Sequence, residues 1–247
     1  MADQLYLSLW YPNFRFAALP AALEAVMRQF AQVASGGNAS SVYNRVVAAT
    51  AYPIDWTESP TFQRVYVNDP RAESTADTDA SRIEAAVPEA TEQLHEDTAY
   101  EFEMRWGLWL PEAVSAAAGY DAAEALDNES DGAFEEAQLD RTWRLEPTRV
   151  RITGFGPEFD HGTYETNGHI RVDFGLDTPF TLEDEALDDS TGDADRDATV
   201  RIQQNVEKLL AFTLLVEKKC GISSRLLWTE SGEPLAEKLI ARLQRLN

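Results

Sequence analysis

The sequence predicts an α+β fold in which helices pack on one face of an antiparallel sheet. Several segments alternate apolar and polar residues, the pattern of a strand with one buried side. Between them lie segments whose apolar residues recur every three or four positions, as on the buried side of a helix. These segments follow one another as βαββαβ and then ββαβα, and runs of this kind favour the α+β class.

The first half of the chain, residues 1–111, carries the βαββαβ order. We expect strands over 5–10, 42–54, 61–67 and 100–110, and helices over 19–33 and 81–95. The strand over 100–110 has the clearest pattern, because aromatic and aliphatic side chains alternate with Glu101, Glu103 and Arg105. The order resembles that of ferredoxin-like folds, in which two helices cover one face of an antiparallel sheet.

The second half, residues 142–247, carries the ββαβα order. We expect strands over 143–155, 170–174 and 223–229, a long helix over 202–220 and a final helix over 235–246. The long helix should end at Gly221, because glycine readily adopts the left-handed conformation that terminates helices. We interpret the chain as a single domain of two α+β halves, 1–111 and 142–247, joined by an acidic, alanine-rich segment over 112–141.

The negative charge of the chain is concentrated in two segments. With 43 Asp+Glu against 21 Lys+Arg, the formal net charge of the 247 residues is -22. Residues 121–140 contain eight acids and no base, and residues 183–197 contain eight acids with Arg196 as the only base. We interpret both segments as solvated loops, with an acidic surface for a basic partner as the functional alternative.

The composition argues against several classes of protein. Direct nucleic-acid binding is not expected of so acidic a chain, because binding to phosphates needs clustered Lys and Arg. Cys220 is the only cysteine, so the chain can form neither an internal disulfide nor a thiolate-rich zinc site. We expect no membrane span and no secretory signal, and therefore a cytoplasmic protein.

Residues 158–173 contain two histidines, several carboxylates and Asn167-Gly168, a strong signal for a two-residue hairpin turn. In that hairpin, side-chain alternation places His161 on one face and four polar side chains on the other. Those four are Tyr164, His169, Arg171 and Asp173. The two histidines then cannot bind one ion, so we predict no metal site and no cofactor. The four polar side chains are our candidate surface for a ligand or partner, with a solvated sheet face as the alternative.

These features favour a binding protein over an enzyme. We find no nucleophile elbow, phosphate-binding loop or metal-ligand pattern in the sequence. The leading hypothesis is a non-enzymatic interaction protein, such as an inhibitor or immunity-type antagonist, whose partner is a basic protein. The alternative is a small-ligand binder or carboxylate-based enzyme with a site between the two halves.

Overall fold

The described strands form one seven-stranded antiparallel sheet. The computed structural model describes residues 3–36, 45–55, 61–67, 82–111, 143–160, 162–181 and 193–231. The strands are β1 (Gln4–Trp10), β2 (Val47–Asp55), β3 (Thr61–Tyr66), β4 (Ala99–Pro111), β5 (Trp143–Phe155), β6 (Ile170–Leu176) and β7 (Ser224–Thr229). They lie side by side in the order β3-β2-β4-β5-β6-β1-β7. Each neighbouring pair is antiparallel, which confirms the α+β class and the antiparallel sheet.

The helices are unequal in length. They are α1 (Leu19–Ala34), α2 (Ile83–Ala90), α3 (Thr163–Thr166), α4 (Thr178–Thr181) and α5 (Asp193–Lys219), and a 3-10 turn at Phe16–Ala18 precedes α1. The long helix ends where the sequence predicts, because Gly221 follows it with a φ of 65°. Among the described residues, no helix combines the length and the apolar character needed to cross a membrane.

The main core lies between one face of the sheet and the helices α1, α2 and α5. Leucines 5, 7 and 9 of β1 point into it, as their alternation with polar residues predicts. Trp106 of β4 is fully buried in its centre, with ring centroids 5.3 Å from Phe30 of α1 and 5.4 Å from Phe174 of β6. We call the opposite face of the sheet the outer face.

The ferredoxin-like strand order is not confirmed. The elements βαββαβ do follow one another along residues 1–111, but β1 pairs with β6 and β7 of the second half. A ferredoxin-like sheet would instead be completed within the first half. The thirteen residues of β4 also pair along their whole length with β5. Both halves therefore contribute strands to one continuous sheet, and its seven strands exceed the four of a ferredoxin-like fold.

Side chains of α5 satisfy the backbone of β4 beyond the end of β2. The pairing of β2 with β4 reaches only Glu103, whereas β4 continues to Pro111. There the Asn205 side-chain amide accepts from the Trp109 N–H and donates to its carbonyl, both at 2.9 Å. Lys208 donates to the Gly107 carbonyl at 2.7 Å. The helix thus provides the hydrogen bonds that a neighbouring strand would otherwise make.

Several predictions fall on residues that the structure does not describe. They are the linking segment 112–141, the side chains of the acidic segments 121–140 and 183–197, the final helix over 235–246, and His161.

Candidate functional site

The outer face carries a patch of aromatic and arginine side chains near its centre. Strand alternation points these residues away from the main core, so α1, α2 and α5 do not cover them. The patch comprises Tyr6 and Ser8 of β1, Arg151 and Phe155 of β5, Arg171 and Asp173 of β6, and Leu226 and Trp228 of β7. We call this set the outer-face patch.

Two aromatic rings of the patch contact each other, and one guanidinium lies against two rings. The ring centroids of Tyr6 and Trp228 lie 4.7 Å apart. The guanidinium carbon of Arg171 lies 5.2 Å from the Tyr6 ring and 5.1 Å from the Phe155 ring. The Trp228 indole N–H donates to the hydroxyl of fully buried Ser8 at 2.9 Å. These contacts hold half-buried side chains in one arrangement before any partner arrives.

Charges on the outer face are nearly balanced, unlike those of the chain as a whole. Arg64 of β3 pairs with Glu101 at 3.0 Å, and Arg149 of β5 pairs with Glu103 at 3.3 Å. Within the patch, Arg151 lies opposite Asp173 in the pairing of β5 with β6. The main cause of the raised pKa of Tyr6 is burial, to which Asp173 and Glu230 add, while Arg171 and Arg151 oppose them. The tyrosine hydroxyl therefore lies within reach of charges of both signs.

His169 lies at one end of the outer face in an aromatic cluster. Its ring stacks on Phe14 with centroids 4.5 Å apart and contacts Tyr164 at 4.6 Å. Its Nδ1 accepts the Tyr11 backbone N–H at 3.0 Å, so the neutral ring carries its proton on Nε2. Burial lowers the pKa of His169 and raises that of Tyr164. Both side chains are therefore held in their uncharged forms.

Because His169 is partly buried in this aromatic cluster, we expect its protonation in acid to destabilise the fold. Below its ordinary pKa of 6.5, the histidine of the unfolded chain binds a proton that the folded ring resists. The free energy of unfolding should therefore fall from about pH 7.5 to about pH 5. In His169→Asn, the amide oxygen still accepts from Tyr11 but does not titrate, so the fall should be smaller. Urea titrations of the wild type and His169→Asn at both pH values measure the free energy of unfolding. If it falls equally in the two proteins, His169 is not the cause of the acid sensitivity.

The hairpin predicted at Asn167-Gly168 is wrong. Residues Thr163–Thr166 form the short helix α3, and the His169 N–H donates to the Leu9 carbonyl of β1 at 2.9 Å. The loop after β5 instead runs beside residues 96–98, where a Cβ on Gly156 would lie 2.2 Å from the Glu96 oxygen. The backbone of Gly156 and Glu158 donates to the carbonyls of Thr98 and Glu96. These bonds hold the loop between β5 and β6 against residues 96–98, so it does not form the predicted two-residue turn.

The four predicted residues fall into two neighbouring groups. Tyr164 contacts His169, although it reaches the histidine from α3 rather than from a strand. Arg171 and Asp173 share the outer face of β6, as alternation predicts. Tyr164 also packs against the small apolar cluster that includes Phe155, which in turn contacts Arg171. Sequence reasoning missed Tyr6 and Trp228, although their alternation with buried residues in β1 and β7 places them on this face.

Two openings lie in the described surface. An open, shallow pocket of about 630 Å³ is lined by Trp10, Tyr11, His169 and residues 223–226, and none of these is a carboxylate. A second opening of about 520 Å³ lies at α2 and β2 and includes the carboxylates Glu89, Glu92 and Asp97. Its lining belongs entirely to the first half. Within the described ranges, no three His, Cys, Asp or Glu side chains are grouped as metal ligands would be.

Comparison with known proteins finds no match. No protein-family model, curated protein or solved structure matches the chain. The geometry and charge of the outer face are therefore the features that indicate a function.

Proposed function

We propose that the protein is a non-enzymatic binding protein that presents the outer-face patch to a basic protein partner, as an inhibitor or immunity-type antagonist would. The observation that carries the proposal is the contact of half-buried Trp228, Tyr6 and Arg171 on the face that α1, α2 and α5 leave uncovered. Buried Phe155 supports the Arg171 guanidinium from beneath this surface. Trp, Tyr and Arg are the residue types that dominate the binding energy of protein interfaces.

The prior ordering of these side chains supports the proposal. A side chain that is already held by stacking or hydrogen bonding loses little conformational freedom when a partner docks. Trp228 is held by Ser8, and Arg171 is held between two rings. Beside them Leu226 is 51% exposed, which adds apolar surface that a partner can bury.

The charge of the chain supports a basic partner. A net charge of -22 creates a field that attracts cationic proteins and repels anionic ones. The outer face is itself nearly neutral, so it can make close contacts without strong repulsion from either sign of charge. Attraction at long range would then come from the acidic segments, and specificity from the patch.

The proposal predicts that Trp228→Ala weakens partner binding at least about tenfold, because a central interface tryptophan contributes more than about 1.4 kcal/mol. The immobilised protein is expected to capture basic proteins from a cell extract at about 0.1 M salt and to release them at about 1 M. Quantitative mass spectrometry of the captured proteins, wild type against variant, measures the loss.

A matched control is Leu214→Ala, because Leu214 is 57% exposed on α5, away from the outer face. This variant should capture the same basic proteins as the wild type. Equal capture by Trp228→Ala, with the protein still folded, would refute the proposed use of the outer face.

Small-ligand binding is the second candidate, favoured by the pocket beside His169. The aromatic lining suits a planar or apolar ligand better than a substrate that needs carboxylate catalysis, since none of its lining residues is acidic. In a fragment screen observed by NMR, shifts confined to Trp10, Tyr11 and His169 would favour this function over protein binding.

A further inference from the structure

Among the described residues, no carboxylate forms an ion pair with two arginines of the outer-face patch, Arg151 and Arg171. Arg151 lies directly opposite Asp173 in the pairing of β5 with β6. The Asp173 carboxylate does not reach it, and accepts the Gly175 N–H at 2.9 Å instead. The guanidinium of Arg171 lies against the rings of Tyr6 and Phe155 and pairs with no described carboxylate. In a chain with 43 acids for 21 bases, two half-buried arginines without a carboxylate are unexpected.

The register of β5 against β6 brings the two arginines near each other on the outer face. Thr153 lies opposite Arg171, so Arg151 and Arg171 are diagonal neighbours on adjacent strands. Side chains as long as arginine reach each other across that diagonal. Contact with an aromatic ring satisfies no N–H donor, so the donors of Arg171 remain available although its position is fixed.

We propose that Arg151 and Arg171 form a subsite for the C-terminal carboxylate of the basic partner. The planar fork of a guanidinium matches a carboxylate with two parallel hydrogen bonds. Phosphate has higher charge, and it would meet stronger repulsion from Asp173, Glu230 and the rest of this acidic chain. This inference rests on the proposed function, because it names a group that the partner would present to the same patch.

The test compares two peptides that differ only at the C-terminus. Pentalysine with a free carboxylate has one positive charge fewer than pentalysine amide. Attraction by the net charge alone therefore predicts that the amide binds more tightly. The arginine subsite predicts the reverse, with the free acid binding about tenfold more tightly at moderate salt. Isothermal titration calorimetry of the full chain with each peptide gives the two dissociation constants.

Variants connect the preference to the two arginines. Arg171→Gln and Arg151→Gln should each abolish the preference for the free acid, and Arg171→Lys should reduce it, because lysine keeps the charge but loses the fork. Arg105→Gln is the matched control, since Arg105 is an exposed arginine on the outer face of β4. It should leave the preference unchanged. Thermal melts of every variant establish that each protein is folded.

Three results would overturn the subsite. In the first, the wild type binds the amide more tightly than the free acid. In the second, folded Arg171→Gln and Arg151→Gln keep the wild-type preference for the free acid. In the third, inorganic phosphate displaces the free-acid peptide more effectively than acetate does at equal ionic strength. The peptides report on the subsite without the natural partner. If the subsite fails while Trp228→Ala still loses its captured proteins, the proposed function stands and only the carboxylate assignment is wrong.

Discussion

Replacing Trp106 by alanine is expected to lower the free energy of unfolding by about 3–5 kcal/mol, the largest effect of any single substitution considered. The indole is fully buried and contacts rings from three elements, Phe30 of α1, Phe174 of β6 and Phe180 of α4. Truncation removes this apolar contact area and leaves a cavity where sheet and helices meet. Because most domains are stable by about 5–15 kcal/mol, such a loss would remove a large part of the stability of the fold.

Trp106→Phe separates loss of volume from loss of the indole N–H. That N–H is buried without a hydrogen-bond partner in the described structure, so its removal should itself cost nothing. Trp106→Phe should therefore lose only about 1–2 kcal/mol, chiefly through the smaller ring. Chemical denaturation followed by circular dichroism measures both variants. A loss below about 1 kcal/mol for Trp106→Ala would show that Trp106 does not organise the core.

Asn205→Ala should cost about 3 kcal/mol, because the buried Asn205 side chain makes three hydrogen bonds with part-buried backbone groups, each worth about 1 kcal/mol. Besides its two bonds to Trp109, the Asn205 amide donates to the Pro179 carbonyl at 2.9 Å, and the residue is only 2% exposed. Alanine would leave the N–H and carbonyl of Trp109 without these partners. Faster hydrogen exchange of the Trp109 amide is expected alongside the lower stability.

Gln203→Ala is the control on the same helix. The Gln203 side chain is exposed, and among the described residues it bonds to Glu207, one turn further along α5. Its replacement should change stability by less than about 0.5 kcal/mol. Equal melting temperatures for Asn205→Ala and Gln203→Ala would mean that the hydrogen bonds from α5 to the backbone of β4 do not stabilise the fold.

Much of the secondary structure could be predicted because its causes are local. The alternation of β4 and β6 and the apolar spacing of α5 each reflect burial of one side of a single element. Alternation also placed Arg171 and Asp173 on one face. The hairpin turn predicted at Asn167-Gly168 is wrong because a contact distant in the sequence decides the structure there. The turn signal is local, but the His169 backbone bonds to Leu9, and such a distant partner leaves no mark in the neighbouring sequence.

The spatial order of the strands could not be predicted for the same reason. Hydrophobic alternation states which side of a strand is buried but not which strand lies beside it. Tyr6 and Trp228 become neighbours only because β1 pairs with β7. The arginine subsite depends likewise on the register of β5 against β6, which fixes Arg151 and Arg171 on one diagonal.

The position of β1 between β6 and β7 has a consequence for folding during synthesis. Ser8 and Trp228, which bond across these strands, are separated by 220 positions in the chain. The leucines of β1 are synthesised before residues 170–176 and 224–229. Both edges of β1 can be paired only after those two segments have been made. Pairing over such distances is slow, and an unpaired apolar strand invites association with other chains. Among the described strands, β1 is thus synthesised before the strands that pair with it, and a nascent chain stopped before β7 would expose an edge of β1 to other chains.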